Sequence, residues 1–428
     1  MVATVCRKRF KTYVLDEFAR SGRLIIDFEI LGEQMKKIAK LSLVAAVAVA
    51  GLTTANAQPL EEAIKNVETS GSVVYRYNDY NNDNSSTEKD AANNNYKIAL
   101  NLSSKVNEDV KFNSRFVVGD ADSGFASLDS SDNNDQNVDV TLSHAYFGYT
   151  GIANTTVNVG KQGLTTPWTV ATDSDGNEQT GTGVLALSSV GPVTLAAAYF
   201  NQTNLDKSGD LKATLNTLAP NGKEAGSLDV VTVGAIANFD FVTLDAWYLD
   251  MNDLFDTYTI GAKSDFDLSG VKLGIDARWV SLDRDDVDTD NTLAKIALTA
   301  KAGIVNAKVA YATTDKEGGI TALDQDATTT LLGWNLTALN KADADYWQGV
   351  VGVDILSNLN LSANYGNLQY VKNSTDIEEE ELYAQLTYKM SKNLSTYIRY
   401  GTLSNDEQVN NDDKVDGTVG RLQVEYTF

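Results

Sequence analysis

Gly420-Arg421-Leu422-Gln423-Val424-Glu425-Tyr426-Thr427-Phe428 closes the chain, and the fold turns on how it is read. Apolar and polar residues alternate through it without a fault. Successive strand side chains point to opposite faces, so Leu422, Val424, Tyr426 and Phe428 share one face and Arg421, Gln423, Glu425 and Thr427 the other. One face suits hydrocarbon and the other water. A half-buried antiparallel sheet in a soluble protein alternates in the same way. The rest of the chain has to choose between membrane and solution.

Working back from the terminus, the same period recurs in segments of about ten residues, the length of a tilted transmembrane strand. Val73-Tyr75-Tyr77, Tyr96-Ile98-Leu100-Leu102, Val271-Leu273-Ile275-Ala277-Trp279, Val305-Ala307-Val309-Tyr311 and Leu382-Ala384-Leu386-Tyr388 are among the clearest. Tight links near Asn107-Glu108, Gly151-Asn154, Gly191-Pro192, Asp240, Ser269-Gly270, Gly303, Ser357-Asn358 and Lys392-Asn393 alternate with mostly longer polar ones. The longer set includes residues 80–95, 119–137, 163–182, 201–227, 313–345 and 403–417. Short turns at one end and long loops at the other describe an all-β transmembrane barrel. About nineteen strand candidates can be marked, and a single-chain bacterial barrel takes an even number. Leu331-Leu332-Gly333-Trp334-Asn335-Leu336 lacks alternation and is dropped, leaving eighteen. A β-helix would need a fixed short repeat, which is missing. In a sandwich both sheet faces would be covered, whereas these polar faces are wet in character.

The composition, 43% apolar and 22% charged with a formal charge of −23, argues against nucleic acid as a partner. From Met35 the chain has a basic start at Lys36, Lys37 and Lys40, an apolar run from Leu41 to Ala50, and Ala55-Asn56-Ala57. This is the pattern of a secretory signal peptide, with cleavage between Ala57 and Gln58. Residues 1–34 precede a complete signal and read as an extension upstream of the true start. Removing residues 1–57 takes away nine basic and five acidic residues, which moves the charge from −23 to −27. The single cysteine, Cys6, goes with them, so disulfides and thiolate chemistry are excluded. In residues 58–69, Leu60, Ile64 and Val67 at i, i+4, i+7 predict one short helix, ahead of a barrel domain over 70–428.

Particular residues also resemble a known family. Met35-Lys36, Leu41-Ser42-Leu43-Val44-Ala45-Ala46, Pro59-Leu60-Glu61-Glu62-Ala63-Ile64-Lys65, Ser70-Gly71 and Tyr75-Arg76-Tyr77 are similar to the campylobacter-type major outer membrane protein, a porin. So are Gly160-Lys161-Gln162, Trp168-Thr169 and Gly181-Thr182-Gly183-Val184. The likeness is close from residue 35 to about 200 and weaker in the loops beyond. It implies an eighteen-stranded trimeric barrel in outer-membrane lipid, passive diffusion of small hydrophilic solutes, and calcium, as in other members. The terminal Tyr426 and Phe428 resemble the aromatic signal read by the barrel-assembly machinery.

In porins a long loop folds into the lumen, and residues 164–182, with Trp168, Asp173, Asp175 and Glu178, are assigned to that constriction. Extending each strand's alternation puts Arg76, Lys97, Lys111, Arg115, Arg278, Lys308, Lys389, Arg399 and Arg421 on the lumen wall. Fewer acids join them, among them Asp245, Asp276, Asp354 and Glu425. A basic wall facing an acidic loop sets up a transverse field, and the acidic mouth tips the channel to a weak cation preference.

Other chemistry fits less well. Asp173-Ser174-Asp175-Gly176-Asn177-Glu178 fails as an EF-hand because Ala171 stands where a ligand is needed. Gly160-Lys161-Gln162-Gly163 lacks phosphate-loop spacing and reads as a strand end. Ser143 and His144, being adjacent, are expected on opposite strand faces, which argues against a hydrolase. A channel-free adhesin or surface-layer protein is the alternative function.

Overall fold

The computed structural model describes residues 67–82, 91–120, 122–128, 139–407 and 414–428. The extension, the signal peptide with Ala57 and Gln58, and residues 58–66 of the expected short helix lie outside these described residues, while Glu68 and Thr69 at its expected end already belong to the first strand.

Among the described residues nineteen strands belong to one antiparallel sheet, and eighteen of them form a closed ring. They are β1 (Glu68–Asn82), β2 (Ala91–Lys105), β3 (Val110–Gly119), β5 (Asp139–Ile152), β6 (Thr155–Gly163), β7 (Thr180–Val190), β8 (Val193–Thr203) and β9 (Val230–Asn238). Then follow β10 (Thr243–Met251), β11 (Phe255–Leu268), β12 (Val271–Arg284), β13 (Asp290–Ala302), β14 (Val305–Thr314), β15 (Ala342–Leu356), β16 (Leu359–Lys372), β17 (Thr375–Lys389), β18 (Leu394–Glu407) and β19 (Lys414–Thr427). The remaining strand, β4 (Ala126–Ser127), is a two-residue flap pairing with β2. Closure leaves no sheet edge and satisfies the backbone within the wall, which is what hydrocarbon demands.

The last strand closes the ring. Tyr75 of β1 sits opposite Val424 and Ser72 opposite Thr427. Phe428 is clasped by a reciprocal backbone pair with Gly71, at 2.9 and 3.1 Å. A Cβ at Gly71 would stand 2.8 Å from the Phe428 ring and closer still to the Ala99 carbonyl. Only glycine admits the terminal aromatic there.

All eight tight links are turns at one end of the barrel, and the dropped segment Leu331–Leu336 is no wall strand, having only a bridge from Leu332 to Thr337. Outward positions such as Leu142, Ile260, Leu298, Val309, Leu361, Leu382, Ile398 and Leu422 are exposed. That much apolar surface is a liability in water and a requirement in lipid.

The long-loop end contains an apolar core of its own. Residues 204–229 carry two helices, α1 (Leu205–Ser208) and α2 (Lys212–Leu218), although only the helix before the barrel was expected. Leu205, Leu211 and Leu215 pack with Trp168, Leu323, Leu331 and Leu336 from two other loops against Phe200, Leu249, Leu282 and Tyr346 of the wall. Each such side chain taken from water contributes about 1.5–3 kcal/mol, so a few of them suffice to hold loops inside a barrel.

Candidate pore and its inserted loop

The segment joining β6 to β7, residues 164–179, folds inward. Gly160 in β6 has a φ of 132°, and a Cβ there would strike the Ala145 carbonyl and Tyr146. The glycine of Gly160-Lys161-Gln162 therefore serves close strand packing before the chain turns in.

Glu178 is the anchor. It is fully buried and accepts from Lys97 at 2.6 Å, from Arg115 through two nitrogens at 2.9 Å each, and from Ser143 at 2.9 Å. Burial alone would raise its pKa, but the hydrogen bonds and charges of Arg115 and Lys97 outweigh it and bring the group down to about 2. The expected field between an acidic loop and a basic wall is thus corrected at this point. Loop and wall are in contact, and the Glu178 carboxylate offsets one of the two positive charges that grip it.

The other assigned loop residues have separate duties. Asp173 is buried and accepts from the Asn177 backbone at 2.8 Å and its amide at 2.7 Å, closing a turn. Burial pushes its pKa to about 6, against the lowering effect of those bonds. Asp175 remains half exposed, 3.9 Å from Arg76. Trp168 is fully buried in the apolar core and lines no water path.

Calcium finds no fit in this loop. The oxygens of Asp173 and Glu178 are committed to protein donors, and among the described residues no cluster of three or more metal-ligating side chains occurs.

A second loop, residues 315–341 between β14 and β15, locks the first. The Leu323 backbone donates to Trp168, Thr329 to Pro167, and Ser174 to the Asp326 carboxylate at 2.9 Å. Gln179 donates to Asp324, which burial, with help from Asp210 and Asp173, lifts to about 8.

The wall cations divide by neighbour. Arg278 makes a two-point pair with Asp245 at 2.7 and 2.9 Å. Lys308 donates to Gln348 at 3.1 Å. Lys111 sits exposed at the turn end, 3.3 Å from Glu68 and far from the inserted loop. Arg76 is buried under Phe125 and donates to the Ser174 carbonyl. Arg399 and Arg421, on β18 and β19, keep partial exposure, as do Tyr383, Gln385, Tyr397 and Gln423 around them. The inserted loops bury inner positions of β1–β3, of β8–β16 and, at Glu381, of β17, whereas the inner residues around Arg399 and Arg421 on β17–β19 keep part of their surface exposed.

One expectation about strand faces is overturned. A bulge at Arg115/Phe116 leaves Ser143 as an extra residue, so Ser143 reaches Glu178 while His144, opposite Arg115, also turns inward beside Ala171. The two still form no nucleophile and base, because the Ser143 hydroxyl donates to Glu178. Sequence reasoning also missed Trp334, whose tryptophan in a non-alternating apolar run was the available signal, and Asp324, which had none.

A closed eighteen-strand barrel with an apolar outer band and a loop docked inside is an outer-membrane porin by construction. The chain matches the Campylobacter major outer membrane protein family over residues 35–428 and belongs to it. It is a porin of the cell outer membrane, a channel for small solutes and not an enzyme. Solved structures share the fold at low identity. OccK2 of Pseudomonas aeruginosa in complex with glucuronate is 14% identical with a TM-score of 0.67, covering 85% of this chain and 98% of that one. OccK9 of Pseudomonas aeruginosa gives 14%, 0.68, 86% and 99%. The BenF-like porin of Pseudomonas fluorescens gives 17%, 0.68, 85% and 99%. No curated protein matches the chain.

Proposed function

We propose that small hydrophilic solutes and ions diffuse through this barrel along the β17–β19 face, past a constriction formed by residues 164–179. The observation that carries the reading is the clamp of Glu178 on Lys97 and Arg115, which pins the loop to the inner face of β2 and β3. A weak cation preference then comes from the acidic mouth and from Asp175, since Asp173 and Glu178 are spent on contacts within the protein. Surface charge of one sign concentrates counter-ions before they reach the narrow zone, and salt screens the effect over about 8 Å at physiological ionic strength.

The resemblance in sequence supports a homotrimer. The aromatic terminus supports delivery by the barrel-assembly machinery. The leader supports export with cleavage between Ala57 and Gln58 and translation from Met35.

Planar-bilayer recording tests the reading. Purified protein should give stable unitary steps, with a reversal potential in a potassium chloride gradient showing slight cation excess that fades as salt rises. Absence of steps sinks the path, and clear anion selectivity at low salt sinks the charge assignment.

A further inference from the structure

Several lumen cations have a carboxylate partner: Lys97 and Arg115 share Glu178, and Arg278 has Asp245. Arg399 and Arg421 do not. They stand directly opposite each other on β18 and β19, so two positive charges share one patch of the open face. Each is held by a single neutral amide, Arg399 through Nε to Gln385 at 2.8 Å and Arg421 through Nε to Asn78 at 2.6 Å. Neither makes an ion pair or any other side-chain hydrogen bond among the described residues. The terminal nitrogens of both forks are left for solvent or solute.

Aromatic rings surround those forks. The Arg399 guanidinium carbon lies 4.8 Å from the ring centres of Trp334 and Tyr397 and 5.4 Å from that of Tyr383, and Arg421 lies 5.9 Å from Trp334. Only the Nε atoms are engaged, and a guanidinium edge matches two coplanar oxygens. The nearby acid cannot serve, because buried Glu381 already accepts from the Trp334 and Asn335 backbone at 2.9 and 2.8 Å. Two unpaired guanidiniums side by side repel one another unless an anion sits between them.

We propose that Arg399 and Arg421, framed by Trp334, Tyr383 and Tyr397, form a binding station for small organic carboxylates inside the channel. The carboxylate takes paired N–H donors from the two forks, and its carbon body lies against the aromatic rings. The station rests on the channel reading above. It holds an anion in passage and leaves the overall ion preference to the mouth.

The probe is benzoate, added to single channels in potassium chloride. Wild type should show saturable interruptions of the open current, and neutral benzamide should show none. R399Q/R421Q should still assemble and conduct, and its benzoate affinity should fall at least about tenfold relative to wild type, the scale of losing charge-assisted bonds. R399K/R421K keeps both charges without the forks and should also bind more weakly, so it carries the test if the glutamine variant fails to assemble. Equal block by benzamide, unchanged block in the variants, or block by inorganic phosphate without block by benzoate overturns the station. A wild-type protein that passes no current refutes the channel reading instead.

Discussion

Glu178→Gln is the change with the most to say about the inserted loop. The substitution keeps size and removes one charge, leaving Lys97 and Arg115 facing a neutral group in a site from which water is excluded. Removing one partner of a buried ion pair costs about 3–5 kcal/mol. At about 1.4 kcal/mol per factor of ten, the docked form of residues 164–179 loses between about a hundredfold and a few thousandfold in population. Single-channel recording should then show larger and noisier unitary conductance, and the reversal potential should move toward anions because two cations are unmasked. Limited proteolysis should cut within 164–179. K97Q/R115Q/E178Q, with the whole network neutral, should recover much of the quiet state, since removing all the charges avoids stranding any. An E178Q channel with native conductance, noise and selectivity would refute the idea that this ion cluster holds the loop.

Three further outcomes follow from the same geometry. Deleting Phe428 removes the pair with Gly71 and the aromatic terminus, so outer-membrane assembly should drop while export continues, measured as heat-modifiable protein in membrane fractions. Gly71→Val puts side-chain atoms where Phe428 and the Ala99 carbonyl already are, and should lower the yield of folded barrel in the same gel assay. Asp324 titrates at about 8 when docked against an ordinary 3.8, and Asp173 at about 6, so the docked loops hold protons that the undocked ones have released. Docking should therefore weaken as pH rises from about 4 to 8 and level off above, while Glu178 weakens it only below about 4.5, its ordinary value being 4.5. Open-channel noise against pH measures this, and D324N should flatten the upper part of the curve.

The barrel was legible because its information is local. Alternation of period two, turn residues at one end and an even strand count need no knowledge of which strand meets which. Leu331–Leu336 was set aside for lacking that period, and it proved to be the piece that brings Trp334 to the arginines. The site was less legible because it is made by contacts remote in sequence. Glu178 meets Lys97 across 81 residues and Gln179 meets Asp324 across 145, and no pattern in either segment announces the other. Acids assigned to open water turned out to be structural for the same reason. The inward turn of both Ser143 and His144 came from a bulge, which a strict period of two cannot express. Helix α2 did leave a trace in Leu211, Leu215 and Leu218 at helical spacing, but the polar residues around it made the segment read as loop.

The central claim is that water runs beside β17–β19 while the inserted loops fill the rest of the lumen. Cysteine placed singly at Gln423, on the open face, and at Ala312, fully buried on β14 beneath the inserted loops, tests it in a chain lacking Cys6. Adding a charged thiosulfonate to conducting channels should reduce the current in discrete steps for Gln423→Cys and leave Ala312→Cys unchanged. Rapid modification of Ala312→Cys with no effect at Gln423→Cys would place the water path on the other side and contradict the account.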